Sequence, residues 1–155
     1  MKQVTFFILV SALFISCNND SSPTRAEEAK HTPLEGTWQL ISGTTITKDD
    51  TVTTDYTKSQ KMIKIINATH FAFLLHDITK GKDTAIYSSG GGTYTLSKDQ
   101  YTEHLDYCND RNWEGHSFPF TVSIKDDTLI QTGIEKVESA GVDRMNIEKY
   151  KRIKN

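Results

Sequence analysis

Within residues 34–155, the side chains with the chemistry to hold a metal or attack an acyl group are His70, His76, His104, His116 and Cys108. No two of these histidines stand in H-x-x-x-H or H-E-x-x-H order, so the spacing that sets two imidazoles on one helical face is absent. His104 and Cys108 are four residues apart, which on a strand separates them by about 13 Å along one face. They share an ion only where the chain bends between them. Ser117 follows His116 without the G-x-S-x-G setting of a strained nucleophile elbow. Gly90, Gly91 and Gly92 suggest a phosphate cradle, yet no G-K-[ST] is present and no helical pattern follows. A bend or bulge in a sheet is the expectation there. No dense cation cluster or helix start surrounds Cys108, so it is expected to be a small buried residue rather than a reactive thiol. The chain is therefore expected to be no enzyme, with no catalytic residue, no metal and no cofactor.

The N-terminus has different chemistry. One cation, Lys2, precedes the apolar run Val4 to Ile15, and Ser16 stands directly before Cys17. A spanning helix needs about 20 apolar residues, and Asn18, Asn19 and Asp20 end this run well short of that. It reads as a secretory signal. Leu13, Phe14, Ile15, Ser16 and Cys17 resemble a lipobox, the site of the lipoprotein signal peptidase, with Phe14 where a small or aliphatic residue is usual. The resemblance implies a bacterial lipoprotein cut before Cys17, with a diacylglyceryl thioether on that cysteine and an acyl chain, such as palmitate, on its new amine. Each buried methylene contributes about 0.8 kcal/mol, so two or three chains anchor a protein without help from the polypeptide. The expected location is the cell envelope, lipid-anchored at the outer membrane on its periplasmic or surface face, because Asn18 and Asn19 argue against retention at the inner membrane.

Residues 1–16 are thus a signal peptide. Residues 17–33 carry the lipidated cysteine and a tether rich in Asn, Ser, Thr, Pro and Glu that lacks the apolar surface to offset its ordering entropy. Residues 34–155 are long enough for one domain with its own core. Losing Lys2 from 18 basic residues leaves 17 against 20 acidic ones, spread without blocks of one sign. Nothing here makes the electrostatic footprint of a nucleic-acid binder. With Cys17 spent on lipid, Cys108 has no partner for an intrachain disulfide. A monomer is expected.

Strand-forming residues dominate the domain, and turn signals recur about every ten residues. Strands are expected at Gly36 to Lys48, Lys61 to Asn67, Phe71 to His76, Asp83 to Ser88, Gly92 to Leu96, Gln100 to Tyr107, Phe118 to Lys125, Thr128 to Gly133 and Met145 to Ile153. Phe118, Phe120, Val122 and Ile124 alternate with polar residues as a half-buried strand requires. Lys98-Asp99 and Asp126-Asp127 supply hairpin turns. Between Gln100 and Cys108, the row Thr102, His104, Asp106, Cys108 alternates with Tyr101, Glu103, Leu105, Tyr107, and either row suits an interior. So many short antiparallel strands without a long helix must hide their edges by closing or by stacking as two sheets. The fold class expected is all-β, an antiparallel up-and-down barrel of about eight strands.

Several segments carry a resemblance in their order along the chain. Gly36-Thr37-Trp38 resembles the G-x-W signature of the calycin superfamily. Gly92 to Leu96, Tyr101 to Tyr107, Phe120 to Ile124 with Asp127-Thr128-Leu129, and Glu148 to Arg152 follow in the sequence of a lipocalin-like domain, as found in secreted and lipid-anchored bacterial proteins. The resemblance implies that Trp38 floors the closed end of the barrel. It also implies that a late arginine packs over the indole, with Arg152 the match and Arg144 the alternative. That role is structural.

A lipocalin-like barrel implies a lumen that binds a small apolar or amphipathic molecule. Phe71, Phe73, Tyr94, Tyr101, Tyr107, Phe118 and Phe120 are the aromatics expected along it, each equally suited to plain core. The polar loop from Cys108 to Ser117 is an expected barrel mouth, where Trp113 either meets a ligand or folds back over the core. The competing expectation is a barrel filled by side chains, whose loops or edges bind a protein or glycan at the cell surface.

Overall fold

The structure is a computed structural model that describes residues 32–79 and 85–154. The expected signal peptide, Cys17 and all but the last two residues of the expected tether lie outside this range, as do Asp83 and Thr84 of an expected strand. Nine strands form one antiparallel sheet: β1 (Gly36–Ile46), β2 (Thr51–Asp55), β3 (Gln60–Ile66), β4 (His70–Asp77), β5 (Tyr87–Ser97), β6 (Gln100–Cys108), β7 (Ser117–Lys125), β8 (Thr128–Val137) and β9 (Val142–Arg152). The sheet closes because β1 pairs with β9 along most of its length, Trp38 opposite Arg152 and Ile46 opposite Met145. The barrel has eight positions, since β2 and β3 share one edge of β1. Ser42 to Ile46 pair with β2, and Gly36 to Gln39 pair with β3. Between them the chain turns at Tyr56–Ser59, where the Asp55 carboxylate accepts hydrogen bonds from the Thr57 amide at 2.9 Å and hydroxyl at 2.6 Å. The fold expected from the sequence, an all-β antiparallel barrel of about eight strands, is the one found.

Three local differences have physical causes. β2 was not expected, because all five of its residues are exposed and no apolar alternation marks it. Its support is cross-strand pairing, as in the 2.9 Å contact of the Thr44 and Thr53 hydroxyls. The two strands expected on either side of Gly90–Gly92 are one long strand, with a register shift between Gly91 and Gly92. A Cβ on Gly92 would lie 2.0 Å from the His104 carbonyl oxygen, so only glycine lets the bulged backbone approach. Gly133 likewise does not end β8, since its missing side chain makes room for the Pro119 carbonyl. β8 runs on to Val137 and returns through one 3-10 turn, Glu138–Ala140, and Gly141, whose φ of 67° favours glycine.

The bulge also decides which side of β6 faces inward. Before it, Tyr101, Glu103 and Leu105 are buried. Asp106 is the extra residue, Gly92 pairing with Leu105 and Gly91 with Tyr107, so the faces exchange. Tyr107, expected along the lumen, is instead 71% exposed on the outer wall, and Cys108 turns inward.

The closed end is built around Trp38, which is fully buried and donates from Nε1 to the Leu34 carbonyl at 2.9 Å. The Arg152 guanidinium lies 4.0 Å above the indole centroid. It donates to the Glu35 carbonyl at 2.6 Å and to that of Pro33, and Asp127 sits 3.6 Å from its Nε. Gly36 is where the guanidinium fits: a Cβ there would be 2.4 Å from Nη1. Such a cation over an indole contributes about 0.5–2 kcal/mol. Arg144 takes no part, being bound to Glu135 far along β9.

Candidate functional site

The barrel holds a cavity of about 350 Å³ that opens at one end. Strand alternation sets its walls. Met62 and Lys64 face inward from β3, Phe73 and Leu75 from β4, Glu103 and Leu105 from β6, and Phe118 and Phe120 from β7. Gln131 and Glu135 do so from β8, and Arg144, Asn146 and Glu148 from β9. Asp110 and Trp113, from the loop between β6 and β7, line it at the end where Arg144 lies, eight residues along β9 from Arg152 at the floor.

The aromatics expected to line a lumen separate into three groups. Phe73, Phe118, Phe120 and Trp113 border the cavity. Phe71, Tyr94 and Tyr101 pack in or against the core below it, the Tyr94 and Tyr101 rings 5.2 Å apart. Tyr107 stands outside. Trp113 folds back over the core and also borders the cavity. Its ring is 5.6 Å from that of Phe118, and the Arg144 guanidinium lies 5.8 Å from its centroid.

The sequence reading missed the polar half of the site. Lys64, Glu103, Gln131, Glu135 and Asn146 are all buried. Lys64 Nζ is 2.7 Å from Glu103 Oε1 and 3.8 Å from Glu148 Oε2, and donates to Gln131 Oε1 at 3.1 Å. It also lies 5.2 Å from the Tyr150 ring centroid. Glu135 accepts from Arg144 and from Asn146, each at 2.8 Å. The Tyr150 hydroxyl donates to Glu148 at 2.7 Å. Taking such charges out of water costs several kcal/mol each, which only mutual pairing offsets. Burial pushes the Glu103 carboxyl above its ordinary range, against the pull of Lys64. Burial would lower Lys64, but Glu103 and Glu148 outweigh it and hold the ammonium charged. The Tyr150 phenol is pushed up by burial and then by Glu148, so it remains a hydrogen-bond donor.

One signal for this network was present in the sequence. Lys64 stands between Met62 and Ile66, and Gln131 follows Leu129, in rows that are otherwise apolar. A charged or amide residue in the inward row of a strand is either an error of register or an interior polar group.

Elsewhere, Ser117 Oγ is 2.9 Å from His104 Nδ1, and Asp106 Oδ1 is 3.5 Å from His104 Nε2. This Ser–His–Asp string lies on the outer wall of β6 and β7, with the His104 side chain 45% exposed, and on the opposite side of the sheet from the cavity. Hydrolysis needs donors aimed at an oxyanion beside the nucleophile. Among the described residues, no group of three or more His, Cys, Asp or Glu side chains is arranged to hold a metal.

The crystal structure of an uncharacterized protein from Bacteroides eggerthii DSM 20697 is similar to this chain, with 13% sequence identity and a TM-score of 0.45, covering 77% of this chain and 98% of that one. No curated protein matches. Residues 33–155 match the family described as domain of unknown function DUF4488, and the chain belongs to that family.

Proposed function

We propose that the barrel is a noncatalytic carrier, holding one small amphipathic molecule in its lumen and displayed in the cell envelope, at the outer membrane, by lipid on Cys17. The observation that carries this reading is the cavity. About 350 Å³ falls in the range of small-molecule sites, roughly 300–1,000 Å³. Its walls join Phe73, Leu75, Phe118 and Phe120 to a buried polar set around Lys64 and Glu135. That division supports an amphipathic ligand over a purely apolar one. The lipocalin-like resemblance supports it too, through the floor that Trp38 and Arg152 seal. A neutral apolar fluorophore, N-phenyl-1-naphthylamine, tests the lumen: it should brighten on mixing with the protein and lose that gain when Phe120→Arg blocks the cavity. Equal brightening with the blocked variant would end the carrier reading. For the anchor, Cys17→Ser should abolish labelling by radioactive palmitate and release the protein from the membrane fraction.

A second reading, a surface interaction module, draws on the outer wall. Ile65, Ala72, Gly91 and Tyr107 lie side by side across β3 to β6 in the pairing register, and Ile65 and Tyr107 are exposed. The double variant I65S/Y107S separates the two, since it should leave fluorophore binding unchanged if the lumen is the functional site.

A further inference from the structure

We propose that the lumen selects an organic cation, a primary ammonium carried on an apolar or aromatic body, and that the Glu103 and Glu148 carboxylates receive it. This rests on the carrier reading above. Around the cavity stand three glutamates, Glu103, Glu135 and Glu148, against two cations, Lys64 and Arg144. Arg144 is committed to Glu135, and Lys64 to Glu103 and Gln131. Glu148 keeps only a 3.8 Å approach from Lys64 and the neutral Tyr150 hydroxyl, both at Oε2. Three carboxylates thus share two cations inside the barrel, an excess of one negative charge, and Asp110 adds another at the mouth.

Individual atoms lead to the same place. Glu103 is 7% exposed and Gln131 1%. Each spends one side-chain atom on Lys64. Among the described residues, Glu148 Oε1 and the Gln131 amide nitrogen make no hydrogen bond, and both side chains line the cavity, while the Tyr101 hydroxyl lies against Glu103. Polar atoms that face a lumen are met there by water or by a bound ligand. Glu148 Oε1 is an anionic acceptor, and an ammonium brings both a positive charge and N–H donors to it. A carboxylate ligand would meet like charge, and a neutral alcohol would supply a donor without the charge. The ring faces of Phe118 and Phe120, on the same wall as Glu103, favour an aromatic body and tolerate a nearby cation.

Three probes of one shape differ only in the polar end: phenethylamine, 2-phenylethanol and 3-phenylpropionate. Calorimetry on the full folded protein at pH 7 should show the amine binding at least tenfold more tightly than the other two. In Glu148→Gln, which keeps an acceptor for Tyr150, that preference should fall at least threefold with the circular-dichroism spectrum unchanged. Glu103→Gln provides a second reading of the same loss. Affinities within threefold of one another, the acid binding best, or an amine preference untouched in both variants each overturn cation selection. N-phenyl-1-naphthylamine binding, measured alongside, separates the causes. If it enters the lumen while the amine shows no preference, the carrier reading stands alone; if neither it nor any probe binds, both fall.

Discussion

Replacing Lys64 with methionine removes the cation at the centre of the buried network. The lysine side chain is 3% exposed, 2.7 Å from one carboxylate and 3.8 Å from another. Methionine occupies similar volume, so little of the cost comes from packing. The cost comes from leaving Glu103 and Glu148 in the interior without a positive charge, about 3–5 kcal/mol for a broken buried pair. Against a domain stability of about 5–15 kcal/mol, urea unfolding at pH 7 should show the loss plainly. The deficit should also depend on pH. The Glu103 carboxyl is raised above its ordinary value of 4.5 by burial. An acid with a higher pKa folded than unfolded holds its proton more tightly in the fold. It therefore adds stability below the unfolded value and loses it as pH rises through the folded one. Without Lys64 the folded value climbs further, so the variant should recover part of its deficit between pH 7 and pH 5. Adding Glu103→Gln to Lys64→Met should recover part of it at pH 7 as well. A deficit under about 1 kcal/mol, or one identical at pH 7 and pH 5, would refute the argument that these charges are desolvated and mutually dependent.

Other expectations concern the scaffold. Arg152→Lys keeps the charge but loses the planar stack on Trp38 and the forked donation to the Pro33 and Glu35 carbonyls; thermal unfolding should show a loss of about 1–2 kcal/mol. Gly92→Ala forces a methyl against the His104 carbonyl, and denaturant titration should give a loss of about 1–3 kcal/mol. Tyr107→Ser, on the outer wall, should leave stability within about 0.5 kcal/mol and fluorophore affinity unchanged.

Much of the barrel was legible because strand formation and alternation are local. Phe118, Phe120 and Val122 read as one face and are buried together. Asp126 and Asp127 read as a turn and adopt the positive φ values, 48° and 57°, that a tight hairpin between right-twisted strands requires. Gly36, Trp38 and Arg152 meet at one end of the barrel, since closing β1 on β9 sets Trp38 opposite Arg152.

What alternation could not decide was the content of the lumen. The aromatic residues drew the reading toward an apolar interior. Yet Phe71 and Tyr101 became floor, and a one-residue bulge turned Tyr107 to solvent. Register across strands depends on which backbone atoms approach each other at Gly91 and Gly92, a property of the closed sheet and not of either strand alone. The same holds for the polar network. Lys64, Glu103, Gln131 and Glu148 come from four strands and lie up to 84 residues apart. Each residue taken singly reads as a surface side chain. By itself the amino-acid order determined an all-β antiparallel chain of about eight strands, because propensity, turn chemistry and period act over a few residues. Only tertiary structure decided that the interior is charged, because a carboxylate can remain buried only once the cation that compensates it has been brought within a few ångströms.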